Sequence, residues 1–302
     1  MTGIIVLNYN KWDDTYACIN SIIENFESNT YRIYLIDNNS PIKMSIDYMN
    51  FFEVNNVSVF INNMNAGYSH GNNIGISHAI RDNCDDILIC NNDIIFIENT
   101  LKKMREFIVN SNTDVVGPKI ILPNNKMQEV NLVERLTFKT KIKHMFRMNS
   151  DVRKKINYGM MNVLDFHSQV YFVSGCCFLV NQSALDIIFP MDEDFFMYEE
   201  EAVMGHKLSS GGKVAEVFNS SVVLHNHDFS KGISARSYTT FVKSELIYLK
   251  KYQKSKNIHL FLIFLFRFFR YFVASLYKKD YFYGYRDFFS EVHKSCKRYG
   301  KN

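Results

Sequence analysis

The stretch Asp85-Asp86-Ile87-Leu88-Ile89-Cys90-Asn91-Asn92-Asp93 decides the fold that this chain is predicted to adopt. Its apolar centre predicts a short buried strand, which ends in two amides and a carboxylate. Open α/β sheets bind ligands outside the carboxyl ends of their strands, so Asp93 is predicted to face a ligand. Oxygen ligands suit Mg²⁺ or Mn²⁺, and a lone carboxylate here suits one divalent cation that holds a diphosphate. Asn-Asn-Asp is also ordinary turn chemistry, so the motif needs support from elsewhere in the chain.

The segments around this stretch alternate between apolar strands and helices. Strands are predicted at 3–8, 31–36, 57–61, 87–90, 115–118, 120–122, 171–180, 214–218 and 222–224. Helices are predicted at 13–26, 72–81 and 99–109, then from 195 and from 237 onward, and the first has Tyr16, Ile19, Ile23 and Phe26 on one face. This alternation indicates a parallel sheet with helices on both faces. Residues 123–165 lose the rhythm and are predicted to form long loops with a short helix.

Composition limits the class of protein. The 302 residues suffice for one large domain or one domain with an appendage, and a net charge of +4 is too mild to indicate a nucleic-acid partner. The six cysteines show no C-x-x-C spacing, which predicts buried free thiols in a reducing compartment. The first strand begins at once, without a basic leader, so a cytoplasmic protein is expected.

Polar residues also follow the first two predicted strands. Asn8-Tyr9-Asn10 and Asp37-Asn38-Asn39 are expected at the same sheet edge as Asp93, where the Asp37 carboxylate can accept from a base or a ribose hydroxyl. The alternative is that both are plain polar turns. No G-x-G-x-x-G follows the first strand, which disfavours a dehydrogenase.

A glycine- and asparagine-rich segment, Asn65-Ala66-Gly67-Tyr68-Ser69-His70-Gly71-Asn72-Asn73-Ile74-Gly75, precedes the second predicted helix. Glycines beside a helix start let the backbone approach a ligand closely. A flexible surface loop is the alternative, and His70 is expected to be a surface or packing residue.

Two further motifs carry ionisable groups. Within Phe195-Phe196-Met197-Tyr198-Glu199-Glu200-Glu201, a carboxylate near a sugar could act as a general base, although acidic residues also favour helix N-termini through the dipole. The segment His225-Asn226-His227-Asp228-Phe229-Ser230 follows an apolar strand and could complete a metal or diphosphate site. A structural role for His225 is the alternative.

The stretch from Leu260 to Tyr277, LFLIFLFRFFRYFVASLY, is rich in aromatic residues. Its uninterrupted apolar run before Arg267 falls short of the roughly 20 residues that span a membrane. Arg267, Arg270, Lys278 and Lys279 predict an interfacial helix with a basic rim. Core packing or an oligomer contact is the alternative.

In this order, the motifs resemble the inverting glycosyltransferases of family 2, over about residues 3–232. The resemblance extends to the rhamnosyltransferase-like enzymes of bacterial surface polysaccharide assembly. It implies an α/β fold with a GT-A type nucleotide-binding sheet and flanking helices at 1–236, followed by a helical, aromatic-rich extension at 237–302.

The resemblance also implies roles for single residues. Asp37 would contact the nucleotide base, Asn73 would line the nucleotide pocket, and Asp93 with His225 would hold Mg²⁺ or Mn²⁺. Glu201 falls where the family places its base, with Glu200 the alternative, and its pKa is expected near the ordinary value of about 4.3. The residues predicted to bind the nucleotide sugar are Asn8, Asn10, Asp37, Asn39, Asn65, Gly67, Asn72, Asn73, Asn91 and Asn92.

The chain departs from the family pattern near this base. Glu201 stands where aspartate is usual, which keeps the charge and extends its reach by one methylene. Val203 and Lys207 replace the family's Asp and Arg. The departures favour a rival reading slightly, in which the chain is a non-catalytic nucleotide-sugar-binding component of a polysaccharide assembly complex.

The function implied is transfer of a sugar, with rhamnose one candidate, from a nucleoside-diphosphate sugar to a hydroxyl of a glycan or lipid-linked acceptor. Peripheral membrane contact through 260–279 would place the protein at the inner face of the plasma membrane. A nucleotidyltransferase is disfavoured because no glycine-rich basic loop follows the first strand.

Overall fold

A nine-stranded sheet forms the centre of the protein. The structure is a computed structural model that describes residues 1–128, 134–146, 167–227 and 232–299. The strands are β1 Thr2–Asn8, β2 Tyr31–Asp37, β3 Ser58–Ile61, β4 Asp86–Asn91, β5 Ile94–Phe96, β6 Val115–Ile121, β7 His167–Val170, β8 Cys177–Asn181 and β9 Ala215–His225. The helices are α1 Trp12–Asn25, α2 Ile46–Val54, α3 Tyr68–Arg81, α4 Thr100–Asn110, α5 Phe138–Phe146, α6 Gln182–Ile188, α7 Glu200–Ser210, α8 Ala235–Lys251, α9 Asn257–Ser275, α10 Lys279–Tyr283 and α11 Tyr285–Tyr299.

The sheet is mixed, with the strand order β3-β2-β1-β4-β8-β6-β9-β5 and β7 beside β9. The predicted parallel arrangement holds for β3, β2, β1 and β4 and for the pair β6 and β9. β8 is antiparallel to both of its neighbours, and β5 and β7 are antiparallel to β9. Helices α1 and α3 supply the crossovers that parallel strands need, whereas β5 follows β4 after a short turn and pairs elsewhere.

Both faces of the parallel half are covered. Ile4, Ile5 and Val6 are fully buried in succession on β1, as expected for a strand between two helical layers. The buried face of α1 differs from the predicted one, because Trp12, Cys18 and Ile22 point inward with Ile19. Tyr16 is exposed instead. The cysteines with described side chains (Cys18, Cys84, Cys90, Cys176 and Cys177) are free and buried, as predicted.

Several predicted element bounds are corrected by tertiary contacts. Residues 171–180, predicted as one strand, form the loop 171–176 and then β8. The helix predicted from 195 begins only at Glu200, because Tyr198 and Glu199 have positive φ angles of 74° and 71° that end any helical run. Helices α2 and α6 were not predicted, whereas β6 and β9 each join two segments predicted as separate strands.

The C-terminal helices pack on the helix that follows the acidic motif. One hydrophobic cluster joins Phe195, Ala202 and Val203 to side chains from α8, α9, α10 and α11. In the described part of the chain, α9 alone is long and apolar enough to cross a membrane by length and composition. Ile263 and Tyr271 of α9 are nevertheless fully buried against protein, so one side of this helix belongs to the fold.

Candidate active site

The carboxyl ends of β1, β2 and β4 meet at one edge of the sheet. The register pairs Asn8 with Asp37 and Leu7 with Asn91, so the polar residues after these strands start from neighbouring positions. They open onto a cleft of about 490 Å³. Its lining includes the predicted residues Asn8, Asn65, Gly67, Asn91, Asn92, Asp93, Glu200, Glu201 and His225.

Asn8 is the fully buried centre of this edge. Its Oδ1 accepts hydrogen bonds from Thr15 Oγ1 at 3.0 Å and Asn92 Nδ2 at 3.1 Å, and its Nδ2 donates to Asp37 Oδ1 at 3.0 Å. The Asp37 carboxylate also accepts from the backbone N–H and the hydroxyl of Ser40. Because its oxygens are engaged inside the protein, Asp37 shapes the strand end and does not line the cleft.

Asn10 and Asn39, two other residues predicted to bind the nucleotide sugar, belong to the loops after β1 and β2. Asn10 Oδ1 accepts from the backbone N–H of Ile42 at 3.0 Å, and Asn39 is exposed. Both have positive φ angles, which asparagine adopts more readily than most residues. Neither side chain lines the cleft.

The two asparagines of α3 point away from the cleft as well. Asn72 Nδ2 donates to the carbonyl of Tyr68 at 3.0 Å. Asn73, predicted to line the nucleotide pocket, instead pairs its amide with both backbone groups of Met191 and donates to Glu193. Asn73 therefore anchors the loop that leads into the acidic motif.

Gly67 brings the glycine-rich segment against that loop. Its φ of 104° suits glycine, and a Cβ there would lie 2.3 Å from the carbonyl oxygen of Phe196. The next residue, Tyr68, donates its backbone N–H to the same oxygen at 2.9 Å. Gly67 therefore lets the chain approach the backbone of Phe196 closely, whereas the sequence predicted a close approach to a ligand.

The acidic triplet divides between two environments, the cleft and a buried ion pair. Glu201 Oε1 accepts from the backbone N–H of Gly175 at 3.2 Å, and Glu201 and Glu200 both line the cleft. Glu199 turns away and forms a buried ion pair with Lys141. A left-handed backbone at Tyr198 and Glu199 produces this division.

Burial separates the two cleft carboxylates from ordinary glutamates. It raises the pKa of Glu201, while the hydrogen bond from Gly175 opposes that rise. Burial raises the pKa of Glu200 well above its usual range, and the neighbouring charge of Glu201 adds to the effect. The structure thus departs from the expectation of an unperturbed base, and Glu201 is the better placed of the two to ionise.

Asp93, His225 and His227 form a second cluster in the lining of the cleft. Asp93 Oδ1 lies 3.2 Å from His225 Nε2, and Oδ2 lies 3.2 Å from His227 Nδ1. The other ring nitrogen of His225 lies 2.6 Å from Gln128 Oε1, which orients the ring. Burial opposes ionisation of Asp93, but the hydrogen bonds and charges of the two histidines outweigh it and lower its pKa.

The cluster has the composition of a metal site. One ligand atom from each of its three residues lies within 4.8 Å of the others, a spacing that a single cation can bridge. The sequence analysis assigned a metal role to Asp93 and His225 but none to His227. The spacing His225-Asn226-His227 was the signal that could have indicated a second histidine ligand. Asp228 and Ser230 of the same motif lie outside the described residues.

Comparison with known proteins places the fold in a family. The sequence profile of Glycosyl transferase family 2 matches residues 3–189. The low-salt glycan biosynthesis hexosyltransferase Agl10 of Haloferax volcanii is 23% identical over 207 residues, which are 66% of this chain. The chain spans 58% of the length of that relative.

Solved structures share the fold at low sequence identity. S. aureus TarS 1–349 in complex with UDP-GlcNAc has a TM-score of 0.55 and 16% identity, over 96% of this chain and 81% of that one. GalNAc-T7 with UDP, GalNAc and Mn²⁺ has a TM-score of 0.60 and 14% identity, over 84% of this chain and 49% of that one. With a family match over more than half of its length, the chain belongs to glycosyl transferase family 2 and has the GT-A fold of glycosyltransferases.

Proposed function

We propose that the protein transfers a hexose, with inversion, from a nucleoside-diphosphate sugar to a hydroxyl of a glycan or lipid-linked acceptor. The observation that carries the proposal is that the Asp93–His225–His227 cluster and Glu201 line one cleft. TarS is described with UDP-GlcNAc and GalNAc-T7 with UDP, which supports a uridine nucleotide in that cleft. The relative Agl10 is named as a hexosyltransferase, and rhamnose stays a prediction of the sequence.

Asp93, His225 and His227 would hold the divalent cation. A bound cation would supply positive charge to the diphosphate as it leaves the sugar. Two imidazoles and one carboxylate form a softer set than the all-oxygen ligands that Mg²⁺ prefers, which favours Mn²⁺ of the two candidates. GalNAc-T7 is described with Mn²⁺.

Glu201 is proposed as the general base. Its carboxylate takes the proton of the acceptor hydroxyl while that oxygen forms a bond to the anomeric carbon from the face opposite the diphosphate. The bond between the anomeric carbon and the diphosphate oxygen breaks in the same step, so the configuration inverts. The N–H of Gly175 holds Oε1 at 3.2 Å and thereby fixes the orientation of the base.

Membrane contact through α9 is also proposed. Its outer side presents apolar side chains spaced by three and four residues, which places them on one face of the helix. These are Ile258, Leu262, Leu265, Phe269 and Phe272, followed by Leu276 directly after the helix, all exposed. Lys278 and Lys279 follow this apolar face and are exposed too. Such a surface suits the cytoplasmic face of a membrane that carries anionic lipids and a lipid-linked acceptor.

The first prediction tests the metal site and the donor cleft together. Release of UDP from UDP-sugars is expected to need Mn²⁺ or Mg²⁺, to stop in EDTA, and to fall at least about 100-fold in Asp93→Ala, because a metal ligand is lost. Asp47→Ala, an exposed carboxylate in the first turn of α2, is the matched control and should keep full activity. Unchanged turnover by Asp93→Ala across a range of metal concentrations would remove the metal role.

A further inference from the structure

A second large cavity lies between the C-terminal helices and the loop before α7. It measures about 760 Å³ and is larger than the donor cleft. We call it the C-terminal cavity. It is lined by Asp194, Phe196, Ser234, Ala235, Arg236, Thr239, Thr240, Lys243, Ser244, Ile247, Tyr271, Asp280, Gly284, Asp287 and Glu291.

One residue of the cavity wall carries a buried hydroxyl without a hydrogen-bond partner. Tyr271 is fully buried, its Oη has no hydrogen-bond partner in the structure, and the residue lines the cavity. Buried hydroxyls are normally hydrogen-bonded, so this wall holds an unused hydrogen-bonding group just behind its surface. Gly284 leaves room for it, since a Cβ at that position would lie 2.7 Å from Tyr271 Oη.

The walls of the cavity are held in place by their own contacts. Asp280 Oδ2 accepts a hydrogen bond from the backbone N–H of Ala235 at 2.9 Å. Lys243 Nζ forms an ion pair with Glu291 Oε2 at 2.7 Å. These contacts tie α8 to α10 and α11 across the cavity. The cavity is therefore formed by the fold before any ligand arrives, which lowers the entropic cost of binding.

The cavity adjoins the donor cleft at Phe196 and Met197. Phe196 lines both spaces, and its backbone oxygen is fixed by the N–H of Tyr68 at 2.9 Å. Ser244 of the cavity donates to the carbonyl of Met197, a cleft residue, at 2.7 Å. Phe196 is 40% exposed at this boundary, so its ring is available to a ligand.

The chemistry of the lining selects a neutral, polyhydroxylated ligand. The lining holds four carboxylates and two cationic side chains, and Lys243 pairs with Glu291 while Lys251, outside the lining, pairs with Asp194. The cavity therefore offers no excess of positive charge to a phosphate or a sulfate. Carboxylates accept hydrogen bonds from sugar hydroxyls, and hydroxyl side chains both donate to them and accept from them. An exposed aromatic ring can contact the apolar face of a pyranose.

We propose that the C-terminal cavity binds a neutral saccharide unit of the acceptor, with Phe196 as the aromatic contact between that unit and the donor cleft. The inference rests on the proposed function, since it assigns the acceptor class for the same reaction. It gives the helical extension a part in acceptor recognition.

Saturation-transfer NMR can test the cavity and the donor cleft in one sample. The probes are UDP with diamagnetic Mg²⁺ and the methyl glycosides of glucose, galactose, N-acetylglucosamine and rhamnose. The wild-type protein is expected to saturate UDP and at least one glycoside. Thr240→Trp, which fills the cavity from a half-buried position on α8, should reduce glycoside saturation at least about tenfold and leave UDP saturation unchanged.

Loss of the UDP signal in Thr240→Trp would show that this variant fails to fold. Asp287→Ala is a second variant that tests the cavity in that case. This exposed carboxylate on α11 should matter to the sugar alone, and its removal should lower glycoside saturation several-fold. Absence of glycoside saturation in the wild-type protein, or saturation unchanged in the folded variants, overturns the cavity proposal. Saturation of a glycoside without UDP would contradict the donor cleft and leave the cavity proposal standing.

Discussion

At the scale of single residues, Glu200 and Glu201 differ more in their surroundings than their adjacency suggests. Glu201 Oε1 accepts a hydrogen bond from the backbone N–H of Gly175. Backbone donors also act on Glu200, but its Oε1 is buried without a hydrogen-bond partner, and burial with the charge of Glu201 raises its pKa well above the usual range. A backbone donor favours the ionised carboxylate, and an unpartnered buried oxygen favours the neutral acid. These differences, and not sequence position, support Glu201 as the base.

Glu201→Gln is expected to lower the transfer rate by about 10²–10⁴-fold while the Kd for UDP stays near the wild-type value, because a base acts in the transition state. Transfer rates and UDP titrations on the purified variants measure both quantities. Glu200→Gln is the matched control and should retain most of the activity. A dead Glu200→Gln beside an active Glu201→Gln would move the base by one residue. Full activity in both variants would exclude both carboxylates as the base, whereas UDP binding without any transfer by the wild-type protein would favour the non-catalytic hypothesis.

Burial of Glu201 should shift the pH dependence of the transfer rate. The base works only when ionised, and burial raises its pKa, so activity should be lost as the pH falls through a value above that of an ordinary glutamate. The acid limb of kcat/KM against pH reports the free enzyme and measures the shift. An acid limb at or below the ordinary glutamate range would contradict the assignment.

At the scale of elements, a buried chain of charges connects four parts of the fold. Lys141 of α5 pairs with Glu199 before α7 and lies 3.3 Å from Glu245 of α8. Arg267 of α9 forms two hydrogen bonds to Glu245, at 2.7 and 2.8 Å. The side chain of Arg267 is only 11% exposed, so it is not part of the basic rim predicted from the sequence.

Lys141→Met is expected to destabilise the protein by about 3–5 kcal/mol, since it leaves the buried Glu199 without its partner and Glu245 with one cation fewer. Chemical denaturation gives the free energy of unfolding. Lys143→Met, on the same helix but 40% exposed in its pair with Glu134, is the control and should cost less than about 1 kcal/mol. Equal effects from the two variants would show that the buried network contributes no more than a surface pair.

At the scale of the whole molecule, one side of α9 completes the protein core and the other remains apolar and exposed. Removal of the chain after Lys256 would therefore delete Ile263 and Tyr271 and uncover the rest of their cluster, which includes Phe195 and Val203. Point substitutions on the outer side test membrane contact without that damage.

Full-length protein is expected to co-sediment with anionic phosphatidylglycerol vesicles and much less with neutral phosphatidylcholine vesicles, because apolar burial and basic residues act together. The double variant Leu265→Glu and Phe269→Glu should stay in the supernatant. Val109→Glu, which changes an exposed apolar residue on α4, should bind as the wild-type protein does. If the wild-type protein stays in the supernatant with anionic vesicles, membrane contact is contradicted. An oligomer contact is then the remaining hypothesis for this side of α9.

The sequence by itself determined the alternation of elements and the polar residues at the strand ends. These follow from local periodicity and from the rule that parallel strands end at a common edge, which is why Asn8, Asn92 and Asp93 were predicted to share a cleft and do. The family resemblance added Glu201 and His225 in the same way, through motifs that are contiguous in the chain.

Only the tertiary structure decided which partners those residues meet. His227 reaches Asp93 across 134 positions, and Asn73 meets Met191 across 118, so neither contact leaves a local pattern to detect. The left-handed backbone at Glu199, which directs one carboxylate to Lys141 and the next two to the cleft, is held by such distant contacts. Side-chain periodicity encodes which face is buried, but long-range packing determines what lies opposite that face.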